Sequence, residues 1–441
     1  MSITLTDHPL LRTDSYGKIF LYTTQEDVAC VPRHRIRMNE PVRPACLLNA
    51  VKMALLRFPH MMLGLTATDT QYRYRILVEE PVVLPFDGVT QRYTIGSADT
   101  HGYLFLVGYH EDTIFMEYQH SISDGRGFEE FIRCVLFHYL LECGHKVEND
   151  GTIRATDSVF ITEESEDAFR KLDEMEPSPA GIYQKPAALH ADNLTWNNDS
   201  PEVVTELTFP FAELRAKAKE YGVSPLSIIA PLFSRAFYKK FGEGHTEPVI
   251  SEIPVDLRQV IPSLTTRYFV CFIDIPYEEE YNRLPLPEVF KKTKEFLNGQ
   301  MATEQLLFRA KRASSVCREL HERDIPIAEK EAEGRQIARQ FVRDDTFLIT
   351  NVGQFKLPET MRPYVLEYGA VLPCSVQPFA MLISSYNGTM KLSVAQRDHD
   401  FQVVSELHKL LSDLGIQVES KNYPFLVTRY DGALSSVPYT L

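Results

Sequence analysis

The sequence predicts an α/β protein built from two similar units. Stretches with the two-residue period of strands alternate with stretches that have the 3.6-residue period of amphipathic helices. Two hairpin-like segments, near 102–119 and 379–396, are each followed by a loop and an apolar helical pattern. The chain has 441 residues, 44% of them hydrophobic and 24% charged, which is enough for two or three core-bearing units.

Charge and cysteine content narrow the classes of function. The net charge of −14 makes the chain a poor candidate for nucleic-acid binding. No run approaches the ~20 apolar residues of a membrane span, and no secretory signal is visible at the N-terminus. Seven cysteines without a CxxC pair indicate free thiols in a reducing compartment. We therefore expect a cytoplasmic monomer without a membrane span, a metal or a nucleic-acid partner.

The first third alternates helix and strand. Residues 46–60 have a helical stripe that Pro59 ends, and 71–80 have a strand pattern. The segments 102–109 and 113–119 predict a hairpin around the turn "HED". After it the period changes to that of a helix, which Gly144 closes.

The rest of the chain contains a linker and a second unit. Residues 150–200 are acidic and contain prolines, which predicts a partly helical crossover. We expect an N-terminal unit at 1–165, a linker at 166–200 and a C-terminal unit at 201–441. Further strands and helices are predicted at 202–210, 211–222, 225–242, 247–255, 267–276, about 286–340 and 346–353.

The segment 379–415 repeats the architecture of 103–144. Asn387-Gly388 is a strong hairpin signal, and the helical stripe that follows includes Leu407 and Leu411. "AQRDHD" stands where the first copy has "YQHSISD". The match is architectural, and it predicts a site at the interface between two similar halves.

The loop "QHSISDG" (119–125) carries the most chemically suggestive residues. A histidine at the end of a core strand projects from a rigid element, and its ordinary pKa of about 6.5 lets it accept a proton near neutral pH. Asp124 precedes a helix, so it is placed either to cap that helix or to pair with an arginine. On spacing alone, His120 and Asp124 fit a catalytic pair, a metal pair or two ordinary loop residues.

A metal pair lacks supporting residues in the sequence, and so does a serine hydrolase built on Ser121 or Ser123 of the same loop. A metal site needs a third ligand, and neither His138 nor His145 stands in a metal-binding pattern with His120. A serine hydrolase needs a nucleophile elbow, and the chain has no GxSxG motif. Two interpretations remain. His120 and Asp124 are either a catalytic pair or ordinary loop residues whose hydrogen bonds are made within the loop.

The loop resembles the HHxxxDG motif of the chloramphenicol-acetyltransferase-like superfamily, which includes condensation domains, alcohol acetyltransferases and polyketide-associated acyltransferases. His120 matches the second histidine of the motif, and Asp124 and Gly125 match its last two residues. Gln119 stands where the first histidine usually is. The segments "PVDLR" (254–258), "ITNVG" (349–353) and 47–65 also resemble family segments and occur in the same order. The DFGWG loop of the plant branch is absent.

The resemblance implies a role for each matched residue. His120 would be the general base, and Asp124 would form a salt bridge with Arg258 that orients the loop, with Asp256 beside it. The resemblance also implies two mixed sheets flanked by helices, with a tunnel at their interface. For the oxyanion of the intermediate, Thr350 and Asn351 are candidate donors. Side chains that merely complete a strand end are the alternative for these two residues.

The donor side is less defined. The resemblance implies an acyl-CoA or phosphopantetheine-linked acyl donor and no tightly bound cofactor. The basic segment 308–324, with Lys311 and Arg312, is either a solvated helix face or a landing site for such an anionic donor.

Three functions follow from the resemblance. The first is acyl transfer from a thioester to a small alcohol or amine, as in secondary metabolism. The second is a condensation-like module that acts on intermediates bound to an acyl or peptidyl carrier protein. The third is a non-catalytic binding protein on the same fold.

Overall fold

The computed structural model describes residues 11, 13–24, 30–191, 201–343, 345–374 and 377–438. It confirms the predicted fold class, because two mixed sheets of different size are flanked by helices.

The first half contains short strands around two long helices. Its helices are α1 (Phe20–Thr23), α2 (Pro44–Arg57) and α3 (Gly125–Glu142). Its strands are β1 (Arg33–Met38), β2 (Leu63–Ala67), β3 (Tyr72–Ile76), β4 (Val83–Pro85), β5 (Thr94–Ile95), β6 (Phe105–His110) and β7 (Thr113–Tyr118). The described part of the acidic region 150–200 contains short 3₁₀ helices at Thr162–Ser165 and Ala168–Leu172.

The second half restarts with a long strand. Its strands are β8 (Glu202–Pro210), β9 (Val249–Asp256), β10 (Val270–Tyr277), β11 (Phe347–Gln354), β12 (Val365–Val371), β13 (Phe379–Tyr386), β14 (Thr389–Gln396), β15 (Glu419–Phe425), β16 (Arg429–Tyr430) and β17 (Ser436–Pro438). Its helices are α4 (Phe211–Tyr221), α5 (Leu226–Phe241), α6 (Leu286–Gln300), α7 (Thr303–Glu322), α8 (Ile327–Arg343), α9 (Gln402–Asp413) and α10 (Gly432–Ser435).

The smaller sheet has the strand order β12-β1-β7-β6-β4. Helices α2 and α3 pack against each other beside it, and α3 buries an apolar stripe that includes Phe128, Phe131 and Val135. Strand β12 comes from the second half of the chain and pairs antiparallel with β1. Likewise, β16 and β17 pair with β5 and β2. The second half therefore contributes strands to three sheets of the first half, and the predicted division at residue 201 stays a prediction.

The larger sheet has the strand order β10-β9-β11-β13-β14-β8-β15. One face packs on α5, where the Phe233 ring lies 4.5 Å from that of Phe347. On the opposite face Pro254, Phe272 and Leu348 are only half buried, whereas Glu252 and Asp274 are buried. Burial on this face is therefore partial, and Leu348 and Val352 pack against a buried cluster that includes Ala370 of β12.

The predicted hairpins form as the turn residues indicate. Asn387 and Gly388 have φ values of 47° and 82°, which a two-residue turn of primed type requires. The first hairpin turns at Glu111, which also has a positive φ. Among the described residues, no helix is both long and apolar enough to cross a membrane.

Candidate active site

His120 lies in the short loop between β7 and α3, where the sequence predicts it. Asp124 caps the helix, because its Oδ1 accepts a hydrogen bond of 2.8 Å from the Gly127 N–H. The loop is also tied to the second half of the chain, since the Ser123 hydroxyl donates to the Thr266 carbonyl at 2.6 Å. The loop is therefore held from both sides.

The imidazole of His120 is surrounded by aromatic rings. Its centroid lies 5.0 Å from that of Phe20, 5.1 Å from that of Tyr118 and 5.9 Å from that of Tyr268. Burial lowers the pKa of His120 to about 4, so the ring is neutral near pH 7. Its Nδ1 faces the Ser123 carbonyl at 3.3 Å. Because a carbonyl only accepts, this contact assigns the proton to Nδ1 and leaves the lone pair on Nε2.

Asp124 meets Arg258 across the two halves. The Arg258 Nη1 lies 2.8 Å from the Asp124 Oδ2, which also accepts the Phe269 N–H at 2.9 Å. The guanidinium further donates to the carbonyls of Thr265 at 2.9 Å and Arg267 at 2.7 Å. The geometry thus joins the two residues that the resemblance paired.

Asp256 extends this pair to the surface. Its Oδ1 lies 2.9 Å from Arg258 Nη1, and its Oδ2 lies 2.6 Å from Arg126 Nη1. Nearby cations, Arg258 first among them, hold the pKa of Asp256 below its usual value. Acidic and basic groups therefore alternate from Asp124 to Arg126 at the start of α3.

Two glycines allow the close approach of the second half. A Cβ atom at position 125 would lie 3.3 Å from Val352 Cγ1. A Cβ atom at position 127 would lie 1.9 Å from the Thr266 carbonyl oxygen, which is far inside van der Waals contact. Gly125 was predicted from the motif, whereas the close contact at Gly127 depends on tertiary packing.

Thr350 and Asn351 lie on β11. The next residue of this strand, Val352, is the one that approaches Gly125. Thr350 is half buried and pairs in register with Leu382 on the face turned away from α5. Asn351 is exposed, and its Oδ1 accepts the Gly353 N–H at 2.9 Å. Their predicted oxyanion role stays a prediction.

The basic residues Arg309, Lys311, Arg312 and Arg318 of the segment 308–324 lie on α7. Lys311 pairs with Glu176, with 3.0 Å between Nζ and Oε1, and Arg312 is exposed. Arg309 and Arg318 pair with Asp274 and Asp173. Much of the basic charge on this helix is therefore matched by carboxylates.

Sequence patterns did not reveal the aromatic surroundings of His120. Phe20 and Tyr268 are far from the motif in sequence, and no local pattern distinguishes them from core aromatics. Among the described residues, no group of three or more His, Cys, Asp or Glu side chains is arranged to hold a metal ion.

Comparison with known sequences gives no assignment. No protein-family profile matches the chain, and no curated protein sequence matches it.

Solved structures do match. Polyketide synthase associated protein 5 from Mycobacterium tuberculosis is 14% identical with a TM-score of 0.61, covering 90% of this chain and 98% of that one. TRI3 trichothecene 15-O-acetyltransferase from Fusarium sporotrichioides is 11% identical with a TM-score of 0.58, covering 92% of this chain and 94% of that one. The starter condensation domain of rhizomide synthetase RzmA, in complex with C8-CoA, is 12% identical with a TM-score of 0.55, covering 90% of each chain.

These similarities identify the fold. The chain has the fold shared by condensation domains and chloramphenicol-acetyltransferase-like acetyltransferases, as the sequence resemblance implied. At this level of identity the similarity carries the fold alone, and the chemistry has to be argued from the residues.

Proposed function

We propose that the protein is an acyltransferase that moves an acyl group from a thioester to a hydroxyl or amine, with His120 as general base. The observation that carries this proposal is the state of the imidazole. Its Nδ1 faces a carbonyl and its pKa is lowered to about 4, which leaves an unprotonated Nε2 at neutral pH. Such a group accepts a proton without first losing one.

The proposed reaction needs no covalent acyl-enzyme. Nε2 takes the proton from the acceptor as its oxygen or nitrogen attacks the thioester carbonyl carbon. The tetrahedral intermediate then expels the thiolate, breaking the carbon–sulfur bond. The imidazolium returns its proton to the leaving thiolate, so that the products are an ester or amide and a free thiol.

The intermediate places a negative charge on the former carbonyl oxygen. We assign its stabilisation to β11, where the half-buried Thr350 carries a hydroxyl on the sheet face turned away from α5. The Asn351 Oδ1 is already engaged by the Gly353 N–H, so its amide nitrogen is the group left to donate. Val352, the next residue, lies against Gly125, which brings this part of β11 close to the His120 loop.

The proposed donor is acyl-CoA or an acyl group on a carrier protein. One solved relative in fold is complexed with C8-CoA, and TRI101 from F. sporotrichioides is complexed with coenzyme A. Lys311 and Arg312 remain the proposed contacts for the anionic donor. Arg312 is exposed and available, whereas a donor phosphate at Lys311 would have to compete with Glu176.

The test replaces His120 with alanine and measures thiol release and product formation over a panel of alcohols and amines. We expect a loss of about 10²–10⁴-fold in kcat with the fold retained. His399→Ala is the matched control, because His399 stands in the equivalent loop of the second hairpin unit and is exposed. Full transfer by a folded His120→Ala protein would remove the base from the mechanism.

Separate donor assays discriminate the alternatives. Acyl-CoA is compared with an acyl carrier protein by intact-mass analysis of the loaded carrier. Ligand-induced thermal stabilisation without turnover for either donor would point to a non-catalytic protein. Transfer from either donor supports the proposal and names the donor class.

A further inference from the structure

Gln119 occupies the position where the related motif has its first histidine, and its side chain is fully buried. Its Oε1 accepts the Ser121 N–H at 2.6 Å, within the catalytic loop. Its Nε2 donates to the Phe20 carbonyl at 2.9 Å, which belongs to α1. These two partners fix which end of the carboxamide is which, because one only donates and the other only accepts. Gln119 thus ties the N-terminal segment to the His120 loop.

The N-terminal segment 13–24 is firmly docked by contacts elsewhere. The Tyr22 hydroxyl lies 2.8 Å from Nδ1 of His321 on α7, and both side chains are buried. The Ser15 hydroxyl donates to Asp167 at 2.7 Å. Helix α8 lies so close that a Cβ atom at Gly334 would stand 2.9 Å from Tyr22 Cβ. These contacts fix Ser15 and Tyr22, whereas the hydrogen bond from Gln119 holds the carbonyl of Phe20 itself.

Phe20 is the residue of this segment that contacts His120, the proposed base. Its ring lies 5.0 Å from the His120 ring at an interplanar angle of 30°, and 5.2 Å from Tyr268. Phe20 is half buried, whereas Tyr268 is only 3% exposed. A ring that contacts the base and keeps an open side borders the space in which the reacting group must stand. Phe272 on β10 is another half-buried aromatic residue.

We propose that Phe20 is a specificity-determining residue that limits which acceptor reaches His120, and that Gln119 is the positioning residue that holds it there. The Phe20 ring presents an apolar surface beside His120 and occupies space there, so we expect the acceptor to be apolar next to its reacting hydroxyl or amine and limited in width. The same ring keeps bulk water from the base and so suppresses hydrolysis of the thioester to a carboxylic acid and a thiol. This inference rests on the proposed function for its substrate class, but the shielding of His120 is testable without it.

The first experiment needs no substrate. Diethyl pyrocarbonate acylates unprotonated imidazole nitrogen, and peptide mass spectrometry follows its reaction at His120. We expect Phe20→Ala and Gln119→Leu to react several-fold faster at His120 than the wild type. If Gln119 acts through Phe20 and not through its bond to Ser121, the double variant should react no faster than Phe20→Ala alone. A faster reaction of the double variant would overturn the positioning role of Gln119.

Phe296→Ala is the control for a general loss of packing. Phe296 is also half buried and also packs edge-on against a tyrosine, with 4.9 Å between its ring centroid and that of Tyr183. We expect wild-type labelling of His120 in this variant. Equal labelling in Phe20→Ala and the wild type, with the fold checked by circular dichroism, would overturn the shielding role.

The second experiment measures thioester hydrolysis and transfer to a series of alkyl and aryl alcohols of increasing width. We expect Phe20→Ala to raise the ratio of hydrolysis to transfer several-fold. We also expect this variant to use wider acceptors, so that the rate advantage of narrow alcohols over wide ones becomes smaller. An unchanged acceptor profile would overturn the specificity role. Absence of transfer by the wild type would instead reject the proposed function, while the labelling result still decides the shielding of His120.

Discussion

Arg258 and Asp124 form a buried ion pair that links the second half of the chain to the His120 loop. Their side chains are 5% and 3% exposed, and 2.8 Å separates Nη1 from Oδ2. The partners are 134 positions apart in sequence, so the pair closes a long-range contact. It fixes the start of α3 relative to β9, and with it the position of His120.

Removing Arg258 should destabilise the protein strongly. Arg258→Met leaves the Asp124 carboxylate buried without its cation, and we expect a loss of about 3–5 kcal/mol in the free energy of unfolding. Urea denaturation measures the change. Arg283→Ala is the control, because Arg283 pairs with Glu279 at the surface and its side chain is 74% exposed. That variant should unfold almost like the wild type. If Arg258→Met cost less than about 1 kcal/mol, the pair would not be holding the loop.

Gly127 should not tolerate a side chain. A methyl group there would meet the Thr266 carbonyl oxygen at 1.9 Å and the Ser123 hydroxyl at 2.5 Å, so the loop or the facing segment has to move. We expect Gly127→Ala to lower the melting temperature and the transfer rate together, at a cost of about 1–3 kcal/mol or more. Differential scanning calorimetry and the transfer assay measure the two effects.

Gly299 provides the comparison for that substitution. It lies near the end of α6, and nothing stands within 4 Å of a Cβ atom there. Gly299→Ala should be neutral or stabilising by up to about 1 kcal/mol, because alanine is the better helix former. Equal behaviour of the two variants would mean that the close approach at Gly127 is relaxed in solution.

The acid limb of the pH profile should lie well below the ordinary pKa of histidine. Burial lowers the pKa of His120 to about 4, and only the neutral ring acts as a base. The value of kcat/KM should therefore stay flat as the pH falls from 7 to about 5.5 and decline as it nears 4. Phe20→Ala, which admits water to the ring, should move this limb upward. Half-maximal activity near pH 6.5 in the wild type would contradict a desolvated base.

The parts of the site that lie close together in sequence could be predicted from it. His120, Asp124 and Gly125 occupy one loop, and the change from strand to helix period around them locates that loop. The pairing of Asp124 with Arg258 came from the resemblance, because no local pattern joins positions so far apart. The structure shows that the pair forms.

The rest depends on tertiary packing. Phe20, Tyr268 and the approach of Thr266 to Gly127 come together only when the N-terminal segment and the second half close over the loop. The pairing of β12 with β1 also could not be predicted from local patterns, because the two strands belong to different halves of the chain. Gln119 departs from the motif, which has a histidine at this position. The two hydrogen bonds of its carboxamide give the glutamine a structural role.

Thr350 tests the proposed oxyanion site on β11. Thr350→Val keeps the shape of the side chain and removes the hydroxyl. If that hydroxyl stabilises the intermediate, kcat should fall by about 10²-fold with little change in the KM for the donor. The control is Thr208→Val, because Thr208 is also half buried and lies on β8 of the same sheet. A rate loss in both variants would indicate a general effect on the sheet. Wild-type turnover in Thr350→Val would leave Asn351 as the candidate donor on this strand.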